Sequence, residues 1–207
     1  MNISARRSRE KQEMKNAILQ GAREIAARDG WQNLTIRKIC YEIHYTAPVI
    51  YQYFESKDMI LLALRMEGIA IAYKDFEIVN KKYPDPARRL LEYGLTFWKF
   101  AETYPELYQV MFNLQGVICS EEGKHLSVEN IRQYYRESLT AINSKAQRSE
   151  KYLWELYDNY GAIIHGFIAI HMVNKLKSGN ENEKIVFKNA LQRFINSIND
   201  KQCPKEN

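Results

Sequence analysis

The sequence predicts an all-α protein of about nine helices. Apolar residues recur at three- and four-residue intervals through most of the chain, as at Ile18, Ala22 and Ile25. Pro86 and Pro105 stand where helices would begin, a position at which the missing proline N–H costs nothing. No segment shows the alternation of apolar and polar residues, bounded by turn residues, that is typical of a strand.

Residues that cap or end helices divide the chain into these elements. Gly30 tolerates a positive φ and ends the first helix. Asn33 or Thr35 can cap the second helix, and Thr46 the third, which carries Pro48 in its first turn. The predicted helices span residues 10–29, 36–43, 47–54, 57–79, 86–103, 105–114, 128–144, 150–177 and 182–199.

The bulk composition is that of a soluble globular protein. Of the 207 residues, 45% are hydrophobic and 27% are charged, which argues against disorder. The most apolar stretch, residues 161–173, is interrupted by His165, Gly166 and His171, so no membrane span is expected. The first twelve residues contain no apolar signal-peptide core, and we therefore expect a cytoplasmic protein.

No metal site, cofactor or catalytic residue is predicted. Cys40, Cys119 and Cys203 are widely spaced and odd in number, which fits neither a disulfide framework nor a zinc knuckle. The four histidines include no pair at i, i+4, the spacing that places two ligands on one helical face.

The net charge of +5 is concentrated at the N-terminus. Residues 1–60 hold 10 Lys and Arg against 7 Asp and Glu. Arg6, Arg7, Arg9 and Lys11 form a cluster that we expect to be a flexible arm, either solvated or neutralising DNA phosphates.

Residues 34–57 have the pattern of a helix-turn-helix unit, in which the second, recognition helix enters the DNA major groove. Ile36, Ile39, Cys40 and Ile43 would form the core side of the first helix, with Ile50 and Phe54 facing them from the second. The turn falls at His44-Tyr45, and histidine is among the residues enriched at positive φ. The outward positions are Thr46, Ala47, Pro48, Tyr51, Gln52 and Tyr53.

This segment resembles the N-terminal signature of TetR-family transcriptional regulators. The matching residues are Thr35, Arg37, Ile39, Thr46, Ile50, Tyr51, Tyr53, Phe54, Ser56 and Lys57. His44 departs from the pattern, because the family usually has glycine there. The resemblance implies a DNA-binding domain over residues 1–56 with a basic N-terminal arm, and an effector-binding and dimerisation domain over residues 57–207.

The resemblance also assigns roles to the matched positions. Tyr51 and Lys57 would contact phosphates, and Thr35 and Thr46 would present hydroxyl and backbone N–H groups to them. Ala47 and Pro48 would touch base edges, and the Gln52 amide would pair with an adenine. Arg37 would meet the DNA backbone, and Tyr53 would lie on the flank of this surface.

By the same resemblance, a small-molecule effector of unspecified class would bind among the aromatic residues of the C-terminal bundle. The candidates are Trp98, Tyr108, Met111, Phe112, Tyr134 and Tyr157. The segment around His165-Gly166 is partly similar to a Trp-x-x-x-His-Gly element of one TetR-family subset, with Tyr157 or Tyr160 in place of the tryptophan. His165 would line the pocket or lie in the core.

The last two helices carry apolar residues at helical spacing and are predicted to form a four-helix dimer interface. The interface candidates are Gly161, Ile164, Ile168, Phe187, Leu191, Phe194 and Ile198. A homodimer with two-fold symmetry matches a palindromic double-stranded operator. The alternative is that both helices only close the core of a monomer.

Two other functions compete with a repressor released by an effector. An enzyme lacks support, because no nucleophile elbow, phosphate loop, carboxylate cluster or metal-ligand spacing is present. A helix-turn-helix protein without an effector, in an architectural or protein-interaction role, remains the second hypothesis.

Overall fold

The computed structural model describes residues 3–114, 126–143, 149–175 and 182–199. Within these ranges the secondary structure is helical throughout and includes no strand, which confirms the all-α prediction. A short 3-10 helix, Trp31–Asn33, lies between the first two α-helices. The α-helices are α1 Ile3–Asp29, α2 Ile36–Ile43, α3 Ala47–Tyr51, α4 Lys57–Lys82, α5 Pro86–Thr103, α6 Pro105–Met111, α7 Leu126–Asn143, α8 Glu150–Lys175 and α9 Asn182–Asn199.

The bounds of α5 and α9 are those predicted, whereas α1 begins seven residues earlier than expected. The prediction of a flexible arm is therefore wrong for residues 3–9. Arg6 Nε lies 2.8 Å from Glu10 Oε1, and Arg9 Nε lies 2.8 Å from Glu13 Oε1. Such i, i+4 pairs stabilise an exposed helix, and they extend α1 beyond its apolar residues.

Two other helices end earlier than predicted. α3 stops at Tyr51, and Gln52 and Tyr53 follow in a tight turn whose backbone N–H groups bond to Val49 and Ile50 carbonyls. α6 stops at Met111, since Asn113 adopts φ 51°, a left-handed conformation that ends helices. The predicted ends at Ser144 and Lys177 lie outside the described residues, as do Cys119, His125 and Cys203.

The first of two compact units comprises residues 3–70 and 104–114. α1 packs against α2 and carries a fully buried row that includes Ile18, Ala22 and Ile25. α6 also belongs to this unit and packs on α1. The indole Nε1 of buried Trp31 donates to Gln109 Oε1 at 3.0 Å, which holds the 3-10 helix against α6.

An ionic cluster in this unit connects three helices. Arg23 of α1 lies 2.6 Å from Glu106 of α6 and 3.0 Å from Glu67 of α4. The Tyr104 ring lies 5.6 Å from the same guanidinium. Since Glu106 is buried, Arg23 supplies the positive charge that its carboxylate needs.

The second unit comprises residues 71–103 and the described residues from 126 onward. α5 packs against α7, α8 and α9. The core is aromatic: Phe76 lies 4.9 Å from Tyr93 and 5.4 Å from Tyr135, measured between ring centroids. The buried Tyr160 hydroxyl donates to the Leu90 carbonyl, and Gly94 lets the Leu191 side chain lie close against α5. None of the described helices is long and apolar enough to cross a membrane.

Candidate nucleic-acid interface

The candidate interface begins with α2, whose ends are fixed by two of the predicted residues. The Thr35 side chain accepts a hydrogen bond from the Lys38 backbone N–H at 3.2 Å and so caps the helix. Asn33, the alternative cap, instead donates to the Asp29 carbonyl. His44 ends α2 at φ 58° and ψ 39°, which confirms the predicted left-handed turn.

His44→Gly is expected to raise the free energy of unfolding by about 1 kcal/mol, because glycine adopts this conformation without steric cost. Urea denaturation of the two proteins measures the difference. His44→Ala is the matched control, since alanine also lacks the imidazole but retains the strain. Equal stabilisation by both substitutions would contradict the proposed cause.

Thr46 occupies the N-cap position of α3, as predicted, but its side chain makes no capping hydrogen bond. The helix instead starts with the Val49 N–H bonding to the Thr46 carbonyl at 3.0 Å. Pro48 lies in the first turn, where no backbone donor is needed. The exposed Thr46 hydroxyl is therefore not used by the helix and can bond to a phosphate oxygen.

A small apolar core holds α2 and α3 together. Ile39 and Ile50 are fully buried and Phe54 nearly so, while Cys40 and Ile43 are half-buried. Ile36, the remaining predicted core residue, is also half-buried. The packing follows the predicted pattern and fixes which side of α3 faces outward.

All nine predicted DNA-binding residues lie at least partly at the surface. Ala47 and Tyr53 are half-buried, and Tyr51 is 52% exposed. The other exposed members are Thr35, Arg37, Thr46, Pro48, Gln52 and Lys57. The structure therefore leaves these side chains available to a duplex along α2, the turn, α3 and the start of α4.

Two tyrosines extend this surface beyond the predicted set. Tyr41 is 82% exposed on α2, and Tyr45 is 45% exposed in the turn immediately before Thr46. Two tyrosines close together beside the predicted turn could have indicated this part of the surface from the sequence. The helix-turn-helix pattern, however, treats Tyr45 only as a turn residue. A phenol hydroxyl at either position can bond to a phosphate.

Ion pairs neutralise one edge of this surface and leave other cations unpaired. Arg28 Nη2 lies 2.9 Å from Glu42 Oε2, and Lys38 Nζ lies 3.2 Å from Asp29 Oδ2. The Lys38 hydrogen bond lowers the pKa of Asp29, so that carboxylate stays ionised. Within the described chain, Arg37 and Lys57 make no ion pair, and their charges are available to phosphates.

Residues 18–64 match the family model described as bacterial regulatory proteins, tetR family. The N-terminal region of this chain belongs to the TetR family. The matched segment includes the buried core of α1 and the whole helix-turn-helix unit. Members of this family are DNA-binding transcriptional regulators rather than enzymes.

Solved structures extend the similarity to the fold of most of the chain. A protein of unknown function from Rhodococcus sp. RHA1 has a TM-score of 0.66 at 16% identity, over 90% of this chain and 95% of that chain. The TetR-family regulator PfmR from Thermus thermophilus has a TM-score of 0.63 at 13% identity, over 86% and 97%. A TetR variant from Acinetobacter baumannii AYE, in complex with minocycline, has a TM-score of 0.61 at 17% identity, over 87% and 93%. No curated protein matches the sequence.

The predicted effector residues are divided between the two units. Tyr108, Met111 and Phe112 lie in the first unit, and the others, Trp98, Tyr134, Tyr157 and His165, lie in the second. Burial raises the pKa values of Tyr108, Tyr134 and Tyr157, so these phenols are neutral hydrogen-bond donors at neutral pH. Their role in binding an effector remains a prediction.

Trp98 and Ser138 are the most informative polar groups of the second unit. Trp98 is 1% exposed, with its ring centroid 4.5 Å from that of His171 and 4.9 Å from that of Phe187. Its Nε1 is buried and has no hydrogen-bond partner among the described residues, whereas the buried Ser138 side chain interacts with the Tyr93 phenol. The Trp98 N–H is a donor that a polar ligand could satisfy.

We expect His165 to make the free energy of unfolding depend on pH. Desolvation lowers its pKa to about 4, against an unfolded value of about 6.5. Between these values the unfolded chain binds a proton that the folded chain does not, so stability falls as the pH is lowered through this window. We expect a loss of about 1 to 2 kcal/mol from pH 7.5 to pH 5 from this group.

The measurement compares urea denaturation of the unaltered chain and of His165→Gln at both pH values. The variant should lose less stability on acidification, because glutamine does not titrate in this range. The same loss in both proteins would show that His165 does not cause it.

The predicted dimer residues differ in how far their own chain buries them. Ile164, Ile168, Phe187, Leu191 and Ile198 are buried by their own chain, with 3% exposure or less. A partner subunit cannot reach these five side chains without unfolding the bundle. Helical spacing identified the apolar faces of α8 and α9 correctly, but spacing does not distinguish an intrachain partner from an interchain one.

A different surface of α8 and α9 is open to a partner. A groove of about 680 Å³ runs along these helices, lined in part by Leu156, Ala162, Ile163, Phe167, Ile170 and Phe194. A Cβ atom built on Gly161 or Gly166 would have no heavy atom within 4 Å, so another helix can approach α8 closely there. Of the predicted interface residues, Phe194 lines this groove.

Proposed function

We propose that this chain is a cytoplasmic, homodimeric transcriptional regulator, most simply a repressor that leaves a palindromic operator when a small molecule binds. In this proposal residues 1–56 bind DNA, and residues 57–207 bind the effector and the second subunit. The observation that carries it is the helix-turn-helix surface, in which buried Ile39, Ile50 and Phe54 hold an exposed row of polar residues outward. The match of residues 18–64 to the family supports the same assignment.

The DNA contacts divide into positioning and recognition. Thr35, Arg37, Tyr51 and Lys57 bind phosphates and fix the position of the unit on the duplex. The others, Thr46, Ala47, Pro48, Gln52 and Tyr53, surround the start and end of α3, where a recognition helix meets base edges. Gln52 makes the base-specific hydrogen bonds, because its amide matches both N6 and N7 of adenine.

The second subunit binds along the groove of α8 and α9. Phe194 and Ile163 supply apolar area, and the open backbone at Gly161 and Gly166 allows close helix packing. Two subunits present two recognition helices related by two-fold symmetry, which a palindromic site matches. One short helix alone gives little specificity.

The effector binds in the aromatic second unit. Trp98 carries a buried donor without a hydrogen-bond partner among the described residues, and neutral Tyr134, Tyr157 and His165 add polar groups to an apolar surrounding. Such an environment suits an uncharged or weakly polar aromatic molecule. Binding changes DNA affinity only if the effector prefers one conformation of the dimer over the other.

The DNA-binding half is tested by competition at 150 mM salt between a labelled selected duplex and unlabelled random duplex. A specific regulator should prefer its site by about a thousandfold or more. A ratio near one would leave only non-specific binding and contradict the proposal.

The regulatory half is tested by screening small aromatic compounds for those that raise the melting temperature. Each compound found is then added to protein bound to its duplex. The proposal expects at least one compound that stabilises the protein and weakens DNA binding. Stabilising compounds that never alter DNA affinity would contradict an effector-released repressor and favour a helix-turn-helix protein without a ligand switch.

A further inference from the structure

The first three turns of α1 carry charges of two different kinds. Arg6 and Arg9 are each paired with a glutamate one turn later on the same helix. Arg7 and Lys11 are exposed, and among the described residues no carboxylate pairs with either. Only the second kind of charge is available to an external anion.

Arg7, Lys11 and Lys15 follow one another at intervals of four residues and form a stripe on one side of α1. We call these three residues the α1 stripe. Arg7 and Lys15 are eight residues apart, so the stripe is about 12 Å long. That length corresponds to roughly three to four base-pair steps of a duplex.

The α1 stripe continues the face of α1 that packs on the helix-turn-helix unit. Arg7 precedes buried Ile18 by eleven residues, and Lys11 precedes buried Ala22 by the same interval. Eleven residues are about three helical turns, so each cation points to the same side as its buried counterpart. The unpaired charges thus project on the same side of α1 as its buried residues.

The inner end of the stripe contacts the segment that follows the recognition helix α3. Lys15 Nζ lies 5.9 Å from the centroid of the Phe54 ring, which closes the core beneath α3. Lys57, a predicted phosphate contact, is three residues beyond Phe54. The inner end of the stripe therefore adjoins the helix-turn-helix unit.

We propose that the α1 stripe binds the phosphate backbone of the operator flank, beyond the base pairs that the recognition helix contacts. This inference rests on the proposed DNA-binding function and extends its footprint. The partner is a DNA duplex because a row of cations without carboxylate partners, adjoining a helix-turn-helix unit, matches a line of phosphates. The contact is independent of sequence, since only phosphates are bound.

The test compares two double variants of equal net charge. Arg7→Gln with Lys11→Gln removes the two unpaired cations, and Arg6→Gln with Arg9→Gln removes two paired ones. Affinity for a 30-base-pair duplex is measured by fluorescence anisotropy at several salt concentrations. For the first variant, we expect the slope of log affinity against log salt to fall by about two per subunit, or roughly four for a dimer on the duplex, because each subunit loses two phosphate contacts.

The second variant should change the slope by much less, although its net charge is the same. It also removes two pairs that support the helix, so circular dichroism of both proteins shows whether α1 has frayed. An unchanged slope in the first variant, or an equal loss in both, would overturn the proposal.

The base preference of the same proteins separates this inference from the proposed function. Both variants should select the same sequences as the unaltered chain, because the stripe contacts no bases. If the Arg7/Lys11 variant keeps its base preference and its salt slope is unchanged, only the proposed phosphate contact of the α1 stripe is rejected. Absence of any preference in the unaltered chain would reject the sequence-specific regulator instead.

Discussion

Replacing Ile163 and Phe194 together by glutamate will yield a monomer that binds a full palindromic site about a hundredfold or more weakly than the unaltered chain. Both side chains line the groove of α8 and α9. In a dimer that forms through this groove, four carboxylates would be buried without partners. The free-energy cost of burying these unpaired charges would prevent association. Loss of the second recognition helix removes the gain in affinity that two linked contacts provide.

Light scattering gives the mass, and anisotropy gives the affinities for the full palindrome and for a single half-site. The half-site affinity should be nearly unchanged, since each helix-turn-helix unit remains folded. Ile78→Glu is the matched control, because Ile78 is a 62% exposed apolar residue on α4 outside this groove. A stable dimer in the double variant would show that the subunits associate elsewhere.

Gln52→Ala will reduce discrimination at one base pair of each half-site by about 1 to 3 kcal/mol, which is roughly five- to 150-fold. The amide is exposed immediately after α3, where it can reach a base edge. Alanine removes both hydrogen bonds to the adenine but leaves the phosphate contacts. Discrimination at the other positions should therefore persist.

The measurement is a binding profile over all single-base variants of the selected site. Gln32→Ala serves as the control, because Gln32 is an exposed glutamine on the 3-10 helix rather than at the recognition helix. If Gln52→Ala left the profile unchanged, the base contact would belong to another residue, and Tyr45 or Thr46 would be the next to test.

The sequence predicted the helix-turn-helix unit closely because its determinants are local. Thr35 caps α2 through the N–H of a residue three positions later, and His44 ends the same helix by its own backbone conformation. Pro86 and Pro105 begin helices where expected. In each case the interaction that fixes the helix end lies within a few residues.

The features that sequence reasoning missed depend on partners distant in the chain. The Arg23–Glu106 pair joins residues 83 positions apart and places α6 with the first unit. Likewise, the burial of Leu191 depends on its packing near Gly94 of α5. Periodicity marks a residue as apolar and inward, but it does not identify the surface that covers it.

The helical start of α1 is an intermediate case. The Arg6–Glu10 and Arg9–Glu13 spacing was present in the sequence and favours helix, yet the concentration of positive charge suggested an arm. The paired glutamates offset part of that charge. At the start of α1, the spacing of opposite charges was therefore a better predictor of helix than the net charge was.

Selection of bound sequences from a random duplex pool tests the central claim most directly. The purified full chain is incubated with the pool at 150 mM salt, and bound duplexes are sequenced after several rounds. A dimeric specific regulator predicts an enriched inverted repeat whose half-sites are centred about 10 base pairs apart, or a multiple of that spacing. A pool that shows no enrichment would contradict sequence-specific DNA recognition by this helix-turn-helix surface.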